Sequence, residues 1–316
     1  MIVFYCFLGL AAIVLCAAYA VFRIIFRSPN KWQNDDLNIP HSDQTDPLRE
    51  EITEMIRTLN AKPFERVGIT SFDGHRLSGR YYHRKDGAPL AILFHGYRGT
   101  PSRDFSGGTQ FYFEEGFNVL MIEERAHCTS AGHVITFGVK ERRDCLAWIE
   151  WARERFGERT PILLCGISMG AATVLMASGL ELPDNVKGIV ADAPFTSPKE
   201  IIKKVAVDRK LPPQPVWFLA SLGARIFGGF DPTAADAAEA VKRSPGPILL
   251  IHGEDDRFVP CEMGRRIAAA NPEKTELHTF PNAGHGLSFL VDRPRYERIA
   301  RAFIKRVFGD RMLPDP

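Results

Sequence analysis

The feature that most constrains the fold is an apolar run that ends in a Gly-x-Ser-x-Gly pentapeptide and continues into helix-forming residues. The run covers residues 161–165, the pentapeptide covers 166–170, and alanine-rich sequence follows. This order predicts a buried strand, a sharp turn and a helix, with a serine exposed at the turn. A serine hydroxyl is a weak nucleophile, so it needs a base and N–H groups that receive negative charge on the substrate oxygen. Ser168 is therefore the candidate nucleophile, and a structural Gly-Ser turn is the alternative.

The composition is that of a globular protein and argues against several functional classes. A chain of 316 residues with 45% hydrophobic residues can form one large α/β domain plus an appendage. The 40 basic and 38 acidic residues give a net charge of +2 and are interspersed, so we expect no nucleic-acid-binding surface. The six cysteines form no C-x-x-C pair and no zinc-site spacing, so we expect neither a metal nor a cofactor.

The N-terminal segment is apolar and long enough to cross a bilayer. Residues 1–22 carry no charged side chain, and a helix of that length reaches about 30 Å, the thickness of the hydrocarbon core. We assign residues 1–27 to a transmembrane helix or signal anchor that attaches the protein to a membrane. A cleaved signal peptide is the alternative, because Ala18-Tyr19-Ala20 is typical of a cleavage site, although no basic residue precedes the apolar run.

Basic residues directly after the span predict its orientation. Arg23, Arg27 and Lys31 follow the apolar run, whereas the N-terminal flank has no Lys or Arg. The positive-inside rule therefore favours a single-pass protein with a cytoplasmic catalytic domain. An extracytoplasmic domain is the alternative.

The remaining chain divides into a linker, a core in two parts and an insertion. Residues 28–63 read as a polar tether followed by a short amphipathic helix. Strands and helices alternate over 64–194 and 232–312, which predicts a mostly parallel sheet with helices on both faces. Residues 195–231 break this alternation, so we interpret them as a small helical cap over the active site. An ordinary core helix is the alternative.

A nucleophilic serine needs a base and an acid that orients the base. His285 lies in a Gly-flanked loop after the last apolar strand and is the candidate base. Asp256 follows the penultimate strand and is the preferred acid, with Asp255 and then Asp192 as alternatives. The order Ser168, Asp256, His285 along the chain is that of the α/β-hydrolase fold.

Four motifs make residues 64–308 resemble a known family. This part of the chain is similar to α/β-hydrolases of the serine-aminopeptidase/lysophospholipase-like group, which includes esterase-like bacterial hydrolases with an N-terminal membrane segment. The set is specific for the fold and the nucleophile but not for the substrate. The motifs are His95-Gly96-Tyr97-Arg98-Gly99, Gly166-Ile167-Ser168-Met169-Gly170, the stretch from His252 to Pro260, and Ala283-Gly284-His285-Gly286.

The resemblance implies a role for each motif. It implies Ser168 as nucleophile, His285 as base and Asp256 as orienting acid. It also implies an oxyanion hole made by the backbone N–H groups of Tyr97 and Met169. The aspartate of the family's His-Gly-x-x-Asp pattern falls on Asp256, which is why we prefer it to its neighbour.

Two further residues are singled out by these motifs. We expect His95 to hold the turn that aims the Tyr97 N–H. Many relatives carry Asp-x-Arg-x-His-Gly-x-Ser after the fourth strand, whereas residues 123–130 here read Glu-Glu-Arg-Ala-His-Cys-Thr-Ser. Cys128 thus replaces a glycine, and the sequence alone does not predict the backbone geometry of this loop.

The predicted cap supplies candidates for a substrate pocket. Trp217, Phe218 and Leu222 lie in a strongly apolar run and are candidates for an acyl-binding wall, with the core of the cap as the alternative. The sequence as a whole predicts a membrane-anchored serine hydrolase that cleaves a small-molecule or lipid-like acyl ester or thioester. A serine peptidase is the alternative enzyme, and a non-catalytic membrane scaffold is the alternative outside enzymes.

Overall fold

The computed structural model describes residues 1–28 and 36–309. Lys31, most of the polar start of the predicted tether, and the last residues of the predicted core lie outside the described residues.

A single eight-stranded sheet runs through the domain in the order β1-β2-β4-β3-β5-β6-β7-β8. β1 and β2 form an antiparallel hairpin, β2 pairs antiparallel with β4, and the remaining neighbours are parallel. The prediction of an α/β-hydrolase fold with a mostly parallel sheet is confirmed. The strands are β1 (Glu65–Thr70), β2 (Arg76–Tyr82), β3 (Leu90–Phe94), β4 (Asn118–Glu123), β5 (Ile162–Ile167), β6 (Val186–Asp192), β7 (Ile248–Gly253) and β8 (Thr275–Phe280).

Helices cover both faces of the sheet because β3, β4 and β7 are buried along their whole length and need packing on each side. The helices are α1 (Ile2–Ile25), α2 (Arg49–Asn60), α3 (Pro101–Glu114), α4 (Glu141–Phe156), α5 (Met169–Ala177), α6 (Pro198–Asp208), α7 (Pro213–Phe227), α8 (Ala237–Val241), α9 (Cys261–Ala270), α10 (Ser288–Val291) and α11 (Arg293–Phe308).

The N-terminal helix α1 is long and apolar enough to cross a membrane over Val3–Ile25. Its first turns are exposed, whereas its C-terminal half packs against α7. The two helices approach closely at Gly223, where a Cβ atom would lie 2.6 Å from the Ala18 carbonyl oxygen. Phe22 and Phe26 belong to the main hydrophobic core of the domain. The end of α1 is therefore built into the domain.

The described part of the predicted tether is also folded onto the core. Ile39 packs with Ile52 and Ile56 of α2 in a small apolar cluster. Asp36 precedes Ile39 in the chain, and its buried carboxylate accepts a hydrogen bond from the Asn60 side chain at 2.9 Å. Asp36, a polar residue that suggested a solvated linker, is thus buried in the domain.

Candidate active site

Ser168 occupies a strained turn between β5 and α5. Its backbone has φ 56° and ψ −113°, a conformation that L-residues rarely adopt. The flanking glycines make this turn possible, because a Cβ on Gly166 would collide with the Gly170 carbonyl, and one on Gly170 would collide with the Phe94 carbonyl. The predicted strand, turn and helix are all present, and the serine side chain lies at the edge of a cavity.

The structure brings His285 to Ser168 across 117 positions of the chain. The loop after β8 carries the imidazole, and its Nε2 lies 2.8 Å from the Ser168 Oγ. The other ring nitrogen, Nδ1, lies 2.7 Å from Asp256 Oδ2. Because an ionised carboxylate only accepts, Nδ1–H donates to Asp256 and Nε2 accepts from the serine hydroxyl.

Asp256 is buried in the loop after β7 and held by several donors. Its Oδ1 accepts from the backbone N–H groups of Phe258 at 2.9 Å and Val259 at 2.8 Å. Burial by itself would raise the pKa of Asp256, but the charge of His285 and hydrogen bonds from His252, His285 and the Val259 amide outweigh it. The pKa of this carboxyl is therefore held well below its usual range, and it is ionised throughout the neutral range.

The two alternative acids are not in contact with the imidazole. Asp255 is exposed, and its backbone carbonyl accepts a hydrogen bond from the Gln44 side chain at 3.2 Å. Asp192 is buried at the end of β6, where burial raises the pKa of its carboxyl to about 7. A carboxyl that is partly protonated near neutral pH is poorly suited to orient a histidine.

The loops that carry Tyr97 and Met169 lie against each other beside the serine. A Cβ on Gly96 would lie 3.3 Å from the Ser168 Cβ. Met169 is the first residue of α5, where backbone N–H groups have no partner within the helix. Among the described residues, neither the Tyr97 nor the Met169 N–H has a hydrogen-bond acceptor.

The backbone N–H groups on either side of Tyr97, by contrast, are both occupied. The Gly96 N–H donates to Asp104 Oδ2 at 2.7 Å, and the Arg98 N–H donates to His127 Nε2 at 3.0 Å. The loop thus leaves one N–H free next to Ser168, as an oxyanion would require. The oxyanion hole itself stays a prediction.

His95 has the position expected of a structural residue. The ring is fully buried, its Nε2 accepts from the Glu124 N–H at 3.1 Å, and its Nδ1 lies 2.9 Å from the Gly96 carbonyl. Burial lowers the pKa of His95 to about 4, so the imidazole is neutral and Nδ1–H donates to Gly96.

The loop after β4 accommodates Cys128 at the position where many relatives have a glycine. Cys128 has φ 45° and Ala126 has φ 63°, so the turn keeps the left-handed geometry that suits a glycine even though a side chain is present. Cys128 is buried, with 3% of its surface exposed, and does not line the cavity.

A cavity of about 590 Å³ opens beside Ser168 and His285, within the range typical of sites for small organic ligands. Many of the side chains that line it are apolar, which suits a hydrocarbon group. They come from the segment before α2, from α2 and α3, and from α10: Ile39, Ile52, Met55, Phe105, Phe111, Phe289 and Leu290.

The predicted pocket residues Trp217, Phe218 and Leu222 do not line this cavity. They lie on α7, whose neighbours are α1 and α6, and Phe218 is 58% exposed. Packing of α7 against the apolar helix α1 explains part of the apolar character that suggested a substrate wall.

Sequence reasoning missed the segment that does cover the site. Residues 39–45 line the cavity together with Ser168, apart from His41. Asp43 pairs with Arg257 at 2.7 Å, and Gln44 packs on Gly284, where a Cβ would lie 2.5 Å from the Gln44 Oε1. The only sequence signals were Ile39 within a polar stretch and the amphipathic pattern of the following helix.

Within residues 1–28 and 36–309 there is no cluster of three or more His, Cys, Asp or Glu side chains that could hold a metal ion. All six cysteines are free thiols, and the four within the domain are buried.

Comparison with protein families gives a match over residues 104–311 to the prolyl oligopeptidase family. Among curated relatives, the uncharacterized protein YqkD of Bacillus subtilis is 23% identical over 75% of this chain and 77% of its own length. Protein ABHD12B of Homo sapiens is 29% identical over 70% of this chain, and the lysophosphatidylserine lipase ABHD12 of Danio rerio is 25% identical over 69%. The matches cover 62% and 58% of these two vertebrate proteins.

Solved structures agree on the fold. The Pyrococcus furiosus esterase Pf2001 superposes with a TM-score of 0.64 at 23% identity, covering 86% of this chain and 97% of that one. A puromycin-hydrolyzing peptidase of Mycobacterium tuberculosis superposes with a TM-score of 0.62 at 16% identity, covering 78% of this chain and 40% of that one.

These comparisons refine the family suggested by the motifs. The α/β-hydrolase fold is confirmed, whereas placement in the serine-aminopeptidase group stays a prediction. The family match covers about two thirds of the sequence, from α3 through α11. The chain belongs to the prolyl oligopeptidase family.

Proposed function

We propose that this protein is a serine hydrolase that cleaves a carboxylic ester or thioester through Ser168, His285 and Asp256. The observation that carries the proposal is the unbroken series of hydrogen bonds from the Ser168 Oγ through His285 to Asp256, with distances of 2.8 and 2.7 Å, at the edge of a cavity. A base at this distance can take the serine proton as the hydroxyl attacks.

The reaction follows from the placement of each group. The Ser168 Oγ attacks the carbonyl carbon while His285 Nε2 takes its proton, and the free N–H groups of Tyr97 and Met169 receive the negative charge on the carbonyl oxygen. His285 then returns the proton to the leaving alkoxide or thiolate, which leaves an acyl group on the serine. Water that gives a proton to His285 releases the acid, and Asp256 stabilises each transient imidazolium.

The lining of the cavity supports a hydrophobic acyl group. Apolar side chains of α2, α3 and α10 line it, and one similar protein is named as a lysophosphatidylserine lipase. The helix α1 would attach the enzyme to the membrane, where such acyl esters are found. Arg23 and Arg27 at its C-terminal end favour a cytoplasmic catalytic domain.

Hydrolysis of a series of p-nitrophenyl esters, from acetate to palmitate, by the full chain in detergent tests this proposal. We expect faster turnover of the longer chains, loss of activity in Ser168→Ala, and a fall in kcat of about 10⁴ in Asp256→Asn, which leaves the imidazole in the wrong tautomer. A strict preference for acetate would contradict the acyl-group assignment. Activity that persists in Ser168→Ala would contradict the mechanism.

A peptidase is the second candidate, and the family match favours it. The same serine, histidine and acid can cleave an amide, because the acyl-enzyme chemistry is shared. Turnover of peptide amides at rates comparable to those of matched esters would support the peptidase. Ester turnover alone would support the esterase.

A further inference from the structure

The chain directly after the apolar helix α1 is bonded to residues 133–137 of the domain. Directly after the helix, the Phe26 carbonyl accepts from the Ile135 N–H at 2.7 Å and the Ser28 N–H donates to the His133 carbonyl at 2.9 Å. Phe26 is fully buried, and its ring lies 5.6 Å from that of Phe137. This end of α1 is therefore a fixed surface of the domain.

Two adjacent side chains of the loop after β3 bind this surface. The Tyr97 hydroxyl donates to the Ile25 carbonyl at 2.7 Å. The Arg98 Nη2 donates to the Ile24 carbonyl at 2.7 Å and to the Arg27 carbonyl at 3.2 Å. The Ile24 and Ile25 carbonyls belong to the C-terminal turn of α1, where backbone oxygens lack partners within the helix and a cation is favoured. Arg27 follows the helix directly.

The loop needs such support because its backbone is strained. Arg98 has φ 51°, an uncommon conformation for a residue with a side chain. Residues in such conformations persist only where surrounding contacts determine them fully. Here the Arg98 amide is held by His127, and its guanidinium is held by α1 and lies 4.9 Å from the Tyr97 ring centroid.

We propose that the C-terminal turn of α1 positions the oxyanion loop through the side chains of Tyr97 and Arg98, so that the membrane helix contributes directly to catalysis. The inference rests on the proposed function, in which the Tyr97 N–H receives charge from the substrate. The side chains of Tyr97 and Arg98 are positioning groups, since they act through the placement of that N–H. The helix α1 would then influence the rate of the reaction in addition to attaching the enzyme to a membrane.

The test compares Tyr97→Phe and Arg98→Ala with the wild-type full chain in detergent. Both variants keep the backbone N–H. Tyr97→Phe removes only the hydroxyl bond to Ile25, whereas Arg98→Ala removes the bonds to Ile24 and Arg27 together with the contact on the Tyr97 ring. We expect kcat to fall by roughly tenfold to a hundredfold with KM nearly unchanged, because a displaced donor weakens transition-state stabilisation more than substrate binding. Arg98→Lys, which can still donate to a carbonyl, should recover part of the loss.

The matched control is Tyr81→Phe, which removes a hydroxyl 3.3 Å from His83 Nδ1, far along β2 from the site. This variant should keep the wild-type kcat. Thermal unfolding of every variant separates loss of rate from loss of folded protein, and Arg98→Ala keeps the test available if Tyr97→Phe does not fold.

Two negative results are distinguishable. An unchanged kcat in folded Tyr97→Phe and Arg98→Ala, beside an active wild type, overturns the positioning role and leaves the proposed hydrolase intact. A folded wild type that neither turns over esters nor reacts at Ser168 contradicts the proposed function itself.

Discussion

Two segments of this molecule differ in what they contribute to the cavity beside Ser168, in a way that their sequences did not suggest. The apolar segment 195–231 reads as a cap over the active site, yet its helix α7 packs on α1 and contributes nothing to the cavity lining. The polar segment before α2 reads as a tether, yet residues 39–45 cover the cavity beside Ser168. An apolar stretch of sequence predicts that its own side chains are buried. The element that buries them is determined by the tertiary structure.

The two segments differ in the contacts that hold them. α7 carries a stripe of small residues, including Gly223, that admits the backbone of another helix at close range. The segment before α2 is held by polar contacts that form only once distant parts of the chain have folded, such as the hydrogen bond from Gln44 to the Asp255 carbonyl. The following predictions test this contrast, starting with the largest expected effect.

The strongest test of a folded tether is Arg80→Met. The buried guanidinium of Arg80 donates to Asn60 at 3.2 Å and lies 3.9 Å from both Asp36 and Glu123. Its removal leaves the buried Asp36 carboxylate without its cation, whereas Glu123 keeps Arg66 at 3.1 Å. We expect a loss of about 3–5 kcal/mol in the free energy of unfolding, because an uncompensated charge stays buried. Chemical denaturation in detergent measures this.

The matched control replaces an exposed arginine. Arg155 pairs with Glu65 at 2.6 Å near the surface, and Arg155→Met should cost at most about 1 kcal/mol. Equal losses in the two variants would mean that the segment around Asp36 is as loosely attached as the sequence suggested.

The contact between α7 and α1 is tested by Gly223→Ala. Overpacking against Ala18 and Phe22 should cost about 1–3 kcal/mol, which is offset in part by the gain in helix propensity of about 1 kcal/mol. We expect a lower unfolding temperature but unchanged selectivity among esters. Gly246→Ala, where a Cβ meets no atom within 4 Å, is the control and should be neutral. A shift in ester selectivity would restore α7 as part of the substrate pocket.

Chain-length selectivity should respond to α3 and not to α7. Gly108 lines the cavity, and a Cβ there would meet only the Phe105 ring, at 3.9 Å. Gly108→Leu should fill that space and lower kcat/KM for long acyl esters relative to short ones by about tenfold. Gly108→Ala should change the ratio little, and Phe218→Ala on α7 should leave it unchanged. The opposite pattern would assign acyl recognition to the predicted cap.

The smallest effect is expected at the mouth of the cavity. Asp43 and Arg257 form an ion pair with side chains 67% and 71% exposed. Asp43→Ala should change stability by at most about 1 kcal/mol, and less at high salt. A large, salt-independent loss would show that this pair holds the covering segment in place and that the buried contacts of Asp36 do not.

The sequence was sufficient for the sheet and for the meeting of Ser168, Asp256 and His285, because each follows a strand of the parallel part of the sheet and so lies at the same sheet edge. The resemblance to the α/β-hydrolase family, whose His-Gly-x-x-Asp pattern falls on Asp256, ranked this residue above Asp255. The sequence was insufficient for the cavity walls, which come from segments that lie far apart in the chain, as Ile39, Phe105 and Phe289 do. It also gave no sign that Tyr97 and Arg98 bind the end of α1, since those bonds go to backbone carbonyls that any sequence provides.

The measurement that tests the central claim most directly is reaction of the folded full chain with a fluorophosphonate, followed by mass mapping of the modified residue. The geometry of Ser168 and His285 predicts a single modified site at Ser168, absent in Ser168→Ala and strongly reduced in His285→Ala. A folded protein that remains unmodified, or one modified at a different side chain, would contradict the assignment of Ser168 as the nucleophile.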